Sequence, residues 1–191
     1  MPKEKCRWCL GDSLYENYHD TEWGVPIYDD QKLFEFLTLE TFQAGLSWIT
    51  VLRKREHFSL AFDHFDYHKI AEYDSEKINA LKNNPGIIRN RLKIEAAVNN
   101  AQAFLKIQSN YGSCSNFIWD FVNGVPLINS FKTLKEIPPY TPLAEKISKA
   151  LKKEGFKFVG PTIVYAHMQA TGMVNDHLVN CFRYQEILES S

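Results

Sequence analysis

Residues 38–52 read TLETFQAGLSWITVL and lie inside a run without proline that extends from residue 27 to residue 84. Apolar residues are dense just before this stretch, which favours a buried helix over a half-exposed strand. Gly45 is typical of a helix end, and Ser47 can cap a second helix that runs from Trp48 to about residue 55. We therefore predict two helices joined by a tight turn at residues 44–46.

Glu40 is the acidic residue of this apolar stretch. On a helix it shares a face with Phe36 and with Gln43 or Ala44. A carboxylate among apolar neighbours must find partners or shift its pKa. Two interpretations stay open at this point: an ordinary core helix pair with one stray glutamate, or a site residue beside the turn.

Composition limits the class of protein. The 191 residues suit one domain, 45% of them are hydrophobic, and a 14% aromatic content is typical of sites that stack planar ligands. The net charge of −1 predicts no overall affinity for nucleic acid. The charged start of the chain and the lack of a long apolar run predict a cytosolic protein with no membrane partner. Its four cysteines are then expected to be metal ligands or free thiols.

Helical patterns continue along the rest of the chain. Residues 75–83, 87–111 and 115–122 read as helices, the second of them long and amphipathic. No pattern of alternating residues is long enough to build a sheet. We predict an all-α fold with a single compact helical domain over residues 1–191, in which residues 1–28 form an N-terminal arm and residues 172–191 a C-terminal segment.

Residues 143–170 have the pattern of two helices joined by a glycine-bounded hairpin. Pro142 suits the first turn of one helix, Gly155 and Gly160 bound the hairpin, and a second helix follows to about Ala170. Exposed N–H groups at the start of a helix can hold a phosphate, and the cations around the hairpin include Lys153 and Lys157. A glycine turn between helices is also common in proteins that do not bind DNA.

The N-terminal arm is crowded with aromatic residues. Tyr15, Tyr18 and His19 fit one short helical face, and Trp8 and Trp23 lie on either side in sequence. The arm is either a structured segment packed on the body or one wall of a pocket that stacks a planar, electron-poor ligand.

Cysteine and histidine residues at both ends of the chain suggest a metal site. His177 and Cys181 are four residues apart and would face one way on a helix, as two ligands of a tetrahedral zinc can. Cys6, Cys9 and His19 leave five candidates for four places, and spacing alone favours Cys6 and Cys9 with the C-terminal pair. Four protein ligands would make the zinc structural, with no open position to activate water.

Together these segments resemble the 3-methyladenine DNA glycosylase I family, the constitutive bacterial enzymes of the helix-hairpin-helix glycosylase superfamily. The resemblance covers nearly the whole chain. The matching pieces are residues 18–26 (YHDTEWGVP), 43–52 (QAGLSWITVL), 86–89 (GIIR), 155–160 (GFKFVG) and 174–177 (VNDH).

The resemblance implies an enzyme that flips 3-methyladenine out of the duplex and hydrolyses its N-glycosidic bond, with no lyase step. It implies a turn at Gly45 and Leu46 that fills the gap left by the base, while Asn175 stands where many superfamily members carry a catalytic aspartate. The implied zinc ligands are Cys6, His19, His177 and Cys181, which leaves Cys9 without a role. The implied base pocket comprises Trp8, Tyr15, Tyr18, Trp23, Glu40 and Trp48.

The same residues predict the binding partner of the protein and leave two alternative functions open. We expect a monomer that acts on double-stranded DNA containing 3-methyladenine, with Gly45, Leu46, Lys153, Lys157 and Gly160 as its DNA contacts. A non-catalytic module that binds damaged DNA would need the fold and the metal but not Glu40. A zinc-dependent hydrolase of small molecules would need an open metal site.

Overall fold

The computed structural model describes residues 3–190, so that Met1, Pro2 and Ser191 of the expected domain lie outside it. Within this range the chain is mostly helical, as predicted. The helices are α1 (Ser13–Thr21), α2 (Asp30–Gln43), α3 (Trp48–Leu52), α4 (Arg55–Ala61), α5 (Tyr67–Ala71), α6 (Ser75–Asn83), α7 (Arg91–Tyr111), α8 (Cys114–Trp119), α9 (Pro142–Lys153), α10 (Pro161–Ala170) and α11 (Phe182–Ser190).

Two short strands, β1 (Leu127–Ile128) and β2 (Val174–Asn175), pair in parallel with Leu127 opposite Val174. The sequence analysis did not predict them, because two residues are too few to show alternation. The pairing ties the segment after α8 to the segment after α10.

Helix α2 is the centre of the core. Asp29 caps it by accepting a hydrogen bond from the backbone N–H of Lys32 at 2.8 Å. Residues 33–42 are all buried, and the helix packs against α3, α7, α8 and α10. This burial explains why the apolar residues of α2 are dense rather than confined to one stripe.

The turn between α2 and α3 forms where it was predicted. Gly45 has φ of +82°, and the backbone N–H of Leu46 donates to the carbonyl of Gln43 at 2.7 Å. The Gln43 side chain donates back to the Leu46 carbonyl at 3.1 Å. Ser47 stands at the cap position, but its hydroxyl pairs with Thr50 at 2.7 Å instead of the backbone.

The predicted boundaries of two helices were wrong. Helix α3 ends at Leu52, and α4 begins separately at Arg55. Helix α7 begins at Arg91 rather than at residue 87, because the Asn90 side chain accepts a hydrogen bond from the N–H of Lys93 at 3.2 Å and caps it there.

His177 and Cys181 do not share a helix, contrary to the prediction. They lie in the segment between β2 and α11, where the Asn175 side chain accepts from the N–H of His177 at 3.2 Å and the N–H of Cys181 donates to Leu178 at 2.7 Å. These local turns replace the helical hydrogen bonds, and the two side chains nevertheless converge.

Close backbone packing holds the N-terminal arm to the loop after α10. The N–H of Ile27 donates to the carbonyl of Thr171 at 3.0 Å. Gly172 has φ of +70°, and a Cβ there would lie 2.4 Å from backbone atoms of Val25 and Pro26. Within residues 3–190, none of the helices combines the length and apolar character needed to cross a membrane.

Candidate ligand cavity and metal centre

A cavity of about 220 Å³ opens between the N-terminal arm, α2, α3 and α10. It brings together all six residues that the resemblance assigned to a base pocket. It also contains four that the sequence analysis did not place there. The lining residues are Trp8, Tyr15, Tyr18, Trp23, Glu40, Gln43, Trp48, Ile137, Ala166 and Gln169.

Aromatic rings form most of the wall. Trp8 lies in a short 3₁₀ turn, and its ring centroid is 4.9 Å from that of Tyr15 and 5.0 Å from that of Trp23. On the other side, Tyr18 of α1 and Trp48 at the start of α3 have ring centroids 5.5 Å apart. The rings meet at tilted or edge-on angles, so each supports its neighbour and holds the wall in shape.

Glu40 is buried in this wall, with 4% of its surface exposed. Among residues 3–190, no group hydrogen bonds to its carboxyl. Burial raises the pKa of Glu40 to about 8, so this environment favours the protonated acid at neutral pH. The sequence predicted that Glu40 would either find polar partners or have a shifted pKa, and the structure shows the shifted pKa.

Trp48 contributes a second unsatisfied polar group. Its indole Nε1 is buried and has no hydrogen-bond partner in the described part of the chain. Buried polar groups in native proteins are usually paired. An unpaired donor and an unpaired carboxyl in one cavity indicate a site whose polar partners arrive with a ligand.

The four cavity residues that were not predicted lie in segments that no local sequence pattern connects. Gln43 is the last residue of α2, and Ile137 belongs to the segment between β1 and α9. Ala166 and Gln169 are one helical turn apart on α10, so they share a face. That spacing is visible in the sequence, but nothing local indicates that this face meets Glu40.

Four buried metal-binding side chains converge beside the cavity, namely Cys6, His19, His177 and Cys181. Cys181 Sγ lies 3.4 Å from His19 Nε2 and 3.6 Å from His177 Nδ1, and Cys6 Sγ lies 3.8 Å from the same His177 atom. A tetrahedral zinc with Zn–S of about 2.3 Å and Zn–N of about 2.0 Å would separate sulfur and nitrogen by about 3.6 Å. The spacing therefore fits a four-coordinate ion.

The outer nitrogens of both imidazoles meet oxygen acceptors. His19 Nδ1 lies 2.8 Å from Asp20, and His177 Nε2 lies 3.0 Å from the carbonyl of Trp23. An oxygen acceptor holds the proton on the outer nitrogen, so the inner nitrogen keeps its lone pair for a metal. The hydrogen bond between the two thiols lowers the pKa of Cys181 and raises the pKa of Cys6, so the two sulfurs hold one proton between them.

Cys9 stands apart from this cluster. It is buried, and its thiol donates to the carbonyl of Cys6 at 3.0 Å. Burial raises its pKa to about 11. The ligand set suggested by spacing alone, which used Cys9 and omitted His19, is therefore not the set that converges, because the 3₁₀ turn at Arg7–Cys9 directs the Cys9 side chain away.

The cluster of Cys6, His19, His177 and Cys181 supports the cavity wall. The Trp23 ring lies 4.6 Å from the His177 ring, and the Trp8 ring lies 5.2 Å from the His19 ring, both nearly edge-on. Two cavity aromatics thus rest on two side chains of the cluster.

The residues predicted to contact DNA lie outside the cavity. Leu46 is exposed at the tip of the turn between α2 and α3. Lys153 ends α9, Lys157 is exposed in the following loop, and Gly160 caps α10. The loop is held by Asn100 of α7, whose side chain accepts from the N–H of Lys157 at 2.8 Å and donates to its carbonyl at 2.9 Å.

Several basic residues near the turn are engaged within the protein. Lys93 is buried, and its ammonium donates to the carbonyls of Phe42 at 2.9 Å and Ala44 at 2.6 Å. Arg55 bridges Glu22 and Glu35, each at 2.7 Å. Tertiary packing supplies these cations with acceptors that the local sequence does not indicate.

Comparisons with known proteins agree on one family. Residues 8–184 match the methyladenine glycosylase family. The chain is 51% identical over 181 residues to DNA-3-methyladenine glycosylase 1 of Escherichia coli K12, covering 95% of this chain and 97% of the relative. It resembles a crystal structure of 3-methyladenine DNA glycosylase I with a TM-score of 0.91 and 51% identity, covering 94% and 98% of the two chains.

A third comparison concerns a Staphylococcus aureus 3-methyladenine DNA glycosylase I, solved to describe how it recognises 3-methyladenine. Its TM-score is 0.90 at 41% identity, covering 93% of this chain and 95% of that one.

Proposed function

Because the chain belongs to the methyladenine glycosylase family, we propose that it acts in base-excision repair and releases 3-methyladenine from alkylated double-stranded DNA. One observation carries this proposal: an aromatic cavity contains a buried carboxyl with no partner in the described chain. Such a cavity can recognise a planar base by stacking and by hydrogen bonding.

The cavity suits a single planar base. Its volume of about 220 Å³ is below the roughly 300–1,000 Å³ typical of pockets for drug-sized ligands. Electron-rich indole and phenol rings attract a cationic heterocycle. A base methylated at N3 within DNA carries such a positive charge.

Glu40 is proposed to select the base. Its carboxyl can accept a hydrogen bond from the 6-amino group of adenine, whereas guanine presents a carbonyl at that place. A cationic base beside Glu40 also favours the carboxylate and offsets the burial that raises its pKa to about 8. Binding would therefore release a proton from Glu40.

The reaction is a hydrolysis at the sugar carbon C1′. The C1′–N9 bond breaks, and its electron pair moves to N9, which neutralises the cationic base as it leaves. A water oxygen bonds to C1′ and gives up a proton to solvent, which leaves an abasic site. Because the leaving base is already cationic, little acid catalysis is needed from the cavity.

Flipping and DNA contact involve the two loops outside the cavity. We propose that Leu46, on the turn made possible by Gly45, fills the space left by the flipped base. Gly160 and the N–H groups at the start of α10 would hold a phosphate, with Lys153 and Lys157 adding positive charge. The α9–α10 pair would then serve as the helix-hairpin-helix of the superfamily.

The ion at the Cys6, His19, His177 and Cys181 cluster is proposed to be a structural zinc. Two thiolates and two imidazoles match its preferred ligands, and four protein ligands leave no open position for water. A bound zinc would neutralise the thiolates and fix their separation. These residues would thus hold the two ends of the chain and support Trp8 and Trp23.

We further propose a monomeric, monofunctional enzyme. Within residues 3–190, the residues that line the cavity include no lysine that could form a Schiff base with the sugar. A lyase step through such an intermediate therefore has no candidate nucleophile in the cavity wall.

The test is incubation with methylated duplex DNA followed by chromatography of the released bases. We expect free 3-methyladenine and abasic sites, with no covalent adduct when borohydride is present. Tight binding without release would indicate a non-catalytic module instead. A trapped adduct would contradict the monofunctional assignment.

A further inference from the structure

Gln169 is a polar residue of the cavity wall to which the proposed function gives no role. It lies on α10, half-buried, one helical turn after Ala166, which lines the same cavity. Its side-chain Nε2 donates to Asp176 Oδ2 at 2.7 Å. The residue therefore joins the cavity to a buried carboxylate behind it.

Asp176 is held from three sides. It is 1% exposed. The Tyr165 hydroxyl donates to the same oxygen as Gln169, and Asn129 Nδ2 donates to the other oxygen at 2.6 Å. With both oxygens engaged by residues of two different segments, α10 and the segment after β1, the carboxylate cannot rotate freely.

This arrangement decides which end of the Gln169 amide faces which way. Amide oxygen and nitrogen are easily exchanged in placement, but a carboxylate only accepts hydrogen bonds, so the NH₂ end must point to Asp176. The carbonyl Oε1 is the end left over. No group in residues 3–190 donates a hydrogen bond to it.

We propose that Gln169 is a second base-recognition residue, and that Asp176 is the positioning residue that fixes its carbonyl oxygen as the acceptor offered to the base. This inference rests on the proposed function. The 6-amino group of adenine has two hydrogens to donate, so Glu40 and Gln169 can each accept one. A 6-oxo purine has a hydrogen-bond acceptor at this place, so it would face the acceptors of Glu40 and Gln169 without a hydrogen to donate.

The test compares the affinities of the free bases 3-methyladenine and 3-methylhypoxanthine, which differ in the 6-amino and 6-oxo groups. Gln169→Leu removes the acceptor, and we expect it to weaken binding of 3-methyladenine by about five- to tenfold. It should leave binding of the 6-oxo base unchanged or stronger. The affinity ratio would therefore fall by at least the same factor.

Asp176→Asn probes the positioning role. An asparagine there can donate to Gln169, which lets the amide turn and offer NH₂ to the cavity. We expect the ratio of the two affinities to fall by about tenfold. If Asp176 has a purely structural role, Asp176→Asn should lower the affinities for both bases by the same factor and leave their ratio unchanged.

A matched control is Gln185→Leu. The Gln185 amide also donates to a carboxylate, that of Glu189 at 2.9 Å, but on the exposed face of α11. It should change neither affinity. Asp176 precedes His177 in the chain, so metal content and melting temperature are measured for each variant. If Asp176→Asn loses metal, the affinity ratio of Gln169→Leu decides whether the inference holds.

These measurements distinguish a failure of the proposed function from a failure of the role assigned to Gln169 and Asp176. If the wild-type protein releases no 3-methyladenine from methylated DNA, the proposed function fails and this inference fails with it. If it releases the base but folded Gln169→Leu keeps the wild-type affinity ratio, only the role of Gln169 and Asp176 is wrong.

Discussion

At the scale of single residues, Glu40 is the group of the cavity wall that burial perturbs most directly. A carboxyl that is 4% exposed and has no partner in the described chain is unfavourable in its charged form. The surrounding fold tolerates it as the neutral acid, with a pKa of about 8. Above its pKa such a residue lowers the stability of the fold, and a ligand that supplies a partner offsets that cost.

The first prediction concerns stability and pH. In the unfolded chain Glu40 titrates near its ordinary pKa of about 4.3, so between that pH and about 8 the folded state binds more protons than the unfolded state. The free energy of unfolding should therefore fall as pH rises, by up to about 1.4 kcal/mol per pH unit, and level off above pH 8. Urea unfolding of wild type and Glu40→Gln across this range measures it. Parallel curves for the two proteins would show that Glu40 is not titrating as described.

The second prediction concerns recognition. Glu40→Ala should weaken base recognition by about 1.5–3 kcal/mol, as expected for a hydrogen bond to a charged group, while Glu40→Gln keeps an acceptor and should lose less. The measurements are the excision rate per folded molecule and the affinity for free 3-methyladenine. If Glu40 is only structural, Glu40→Ala changes thermal stability and leaves both quantities at the wild-type level.

At the scale of elements, α2 and α10 connect the cavity to the loops that lie outside it. Helix α2 carries Glu40 in its buried part and ends in the turn with Leu46. Helix α10 begins at the loop with Lys157 and lines the cavity one to two turns later. Each of these helices thus links one of the loops to the cavity wall.

The third prediction concerns the end of α2. Lys93→Met keeps the aliphatic stem but removes the donor to the carbonyls of Phe42 and Ala44, and each unpaired buried carbonyl costs about 1–3 kcal/mol. We expect lower stability and a loss of excision from duplex DNA that exceeds the loss of affinity for the free base. Lys69→Met, at an exposed lysine of α5, is the control. Equal losses in both assays would mean that Lys93 does not act through the turn.

At the scale of the whole molecule, the two ends of the chain close on each other beside the cavity. The cluster of Cys6, His19, His177 and Cys181 takes two side chains from each end. The N–H of Phe182 also donates to the carbonyl of Glu4 at 2.9 Å. The aromatic wall of the cavity rests on this closure.

The fourth prediction concerns the packing of the arm on the loop after α10. Gly172→Ala should destabilise the protein by about 3 kcal/mol or more, because a Cβ would overlap the backbone of residues 25 and 26. Gly124→Ala has a similar φ of +78° but open space around its Cβ, so it isolates the conformational cost of about 1–2 kcal/mol. Chemical denaturation of the two variants gives the difference, and equal values would argue against the close approach.

The fifth prediction concerns the metal. The purified protein should hold one zinc per chain, and His177→Ala should lose it together with several kcal/mol of stability. Cys9→Ser should retain both, since Cys9 lies outside the cluster. Elemental analysis with thermal unfolding decides the ligand set, and retention of zinc by His177→Ala would overturn it. Loss of metal should also weaken binding of the free base, because Trp8 and Trp23 rest on the histidine rings.

The sequence by itself determined the helical class and the turn at Gly45, because these follow from local periodicity and from the backbone freedom of glycine. It also showed that Glu40 must be paired or have a shifted pKa. The six aromatic and acidic cavity residues and the choice of His19 over Cys9 required the resemblance to a family, since local spacing favoured a different ligand set.

Only the tertiary structure decided which distant groups meet. Gln169 and Ile137 join the cavity, Lys93 turns inward to the end of α2, and His177 and Cys181 converge without a helix between them. Each of these depends on how elements far apart in sequence pack. Periodicity records which face of an element is buried, but it does not record which element buries it.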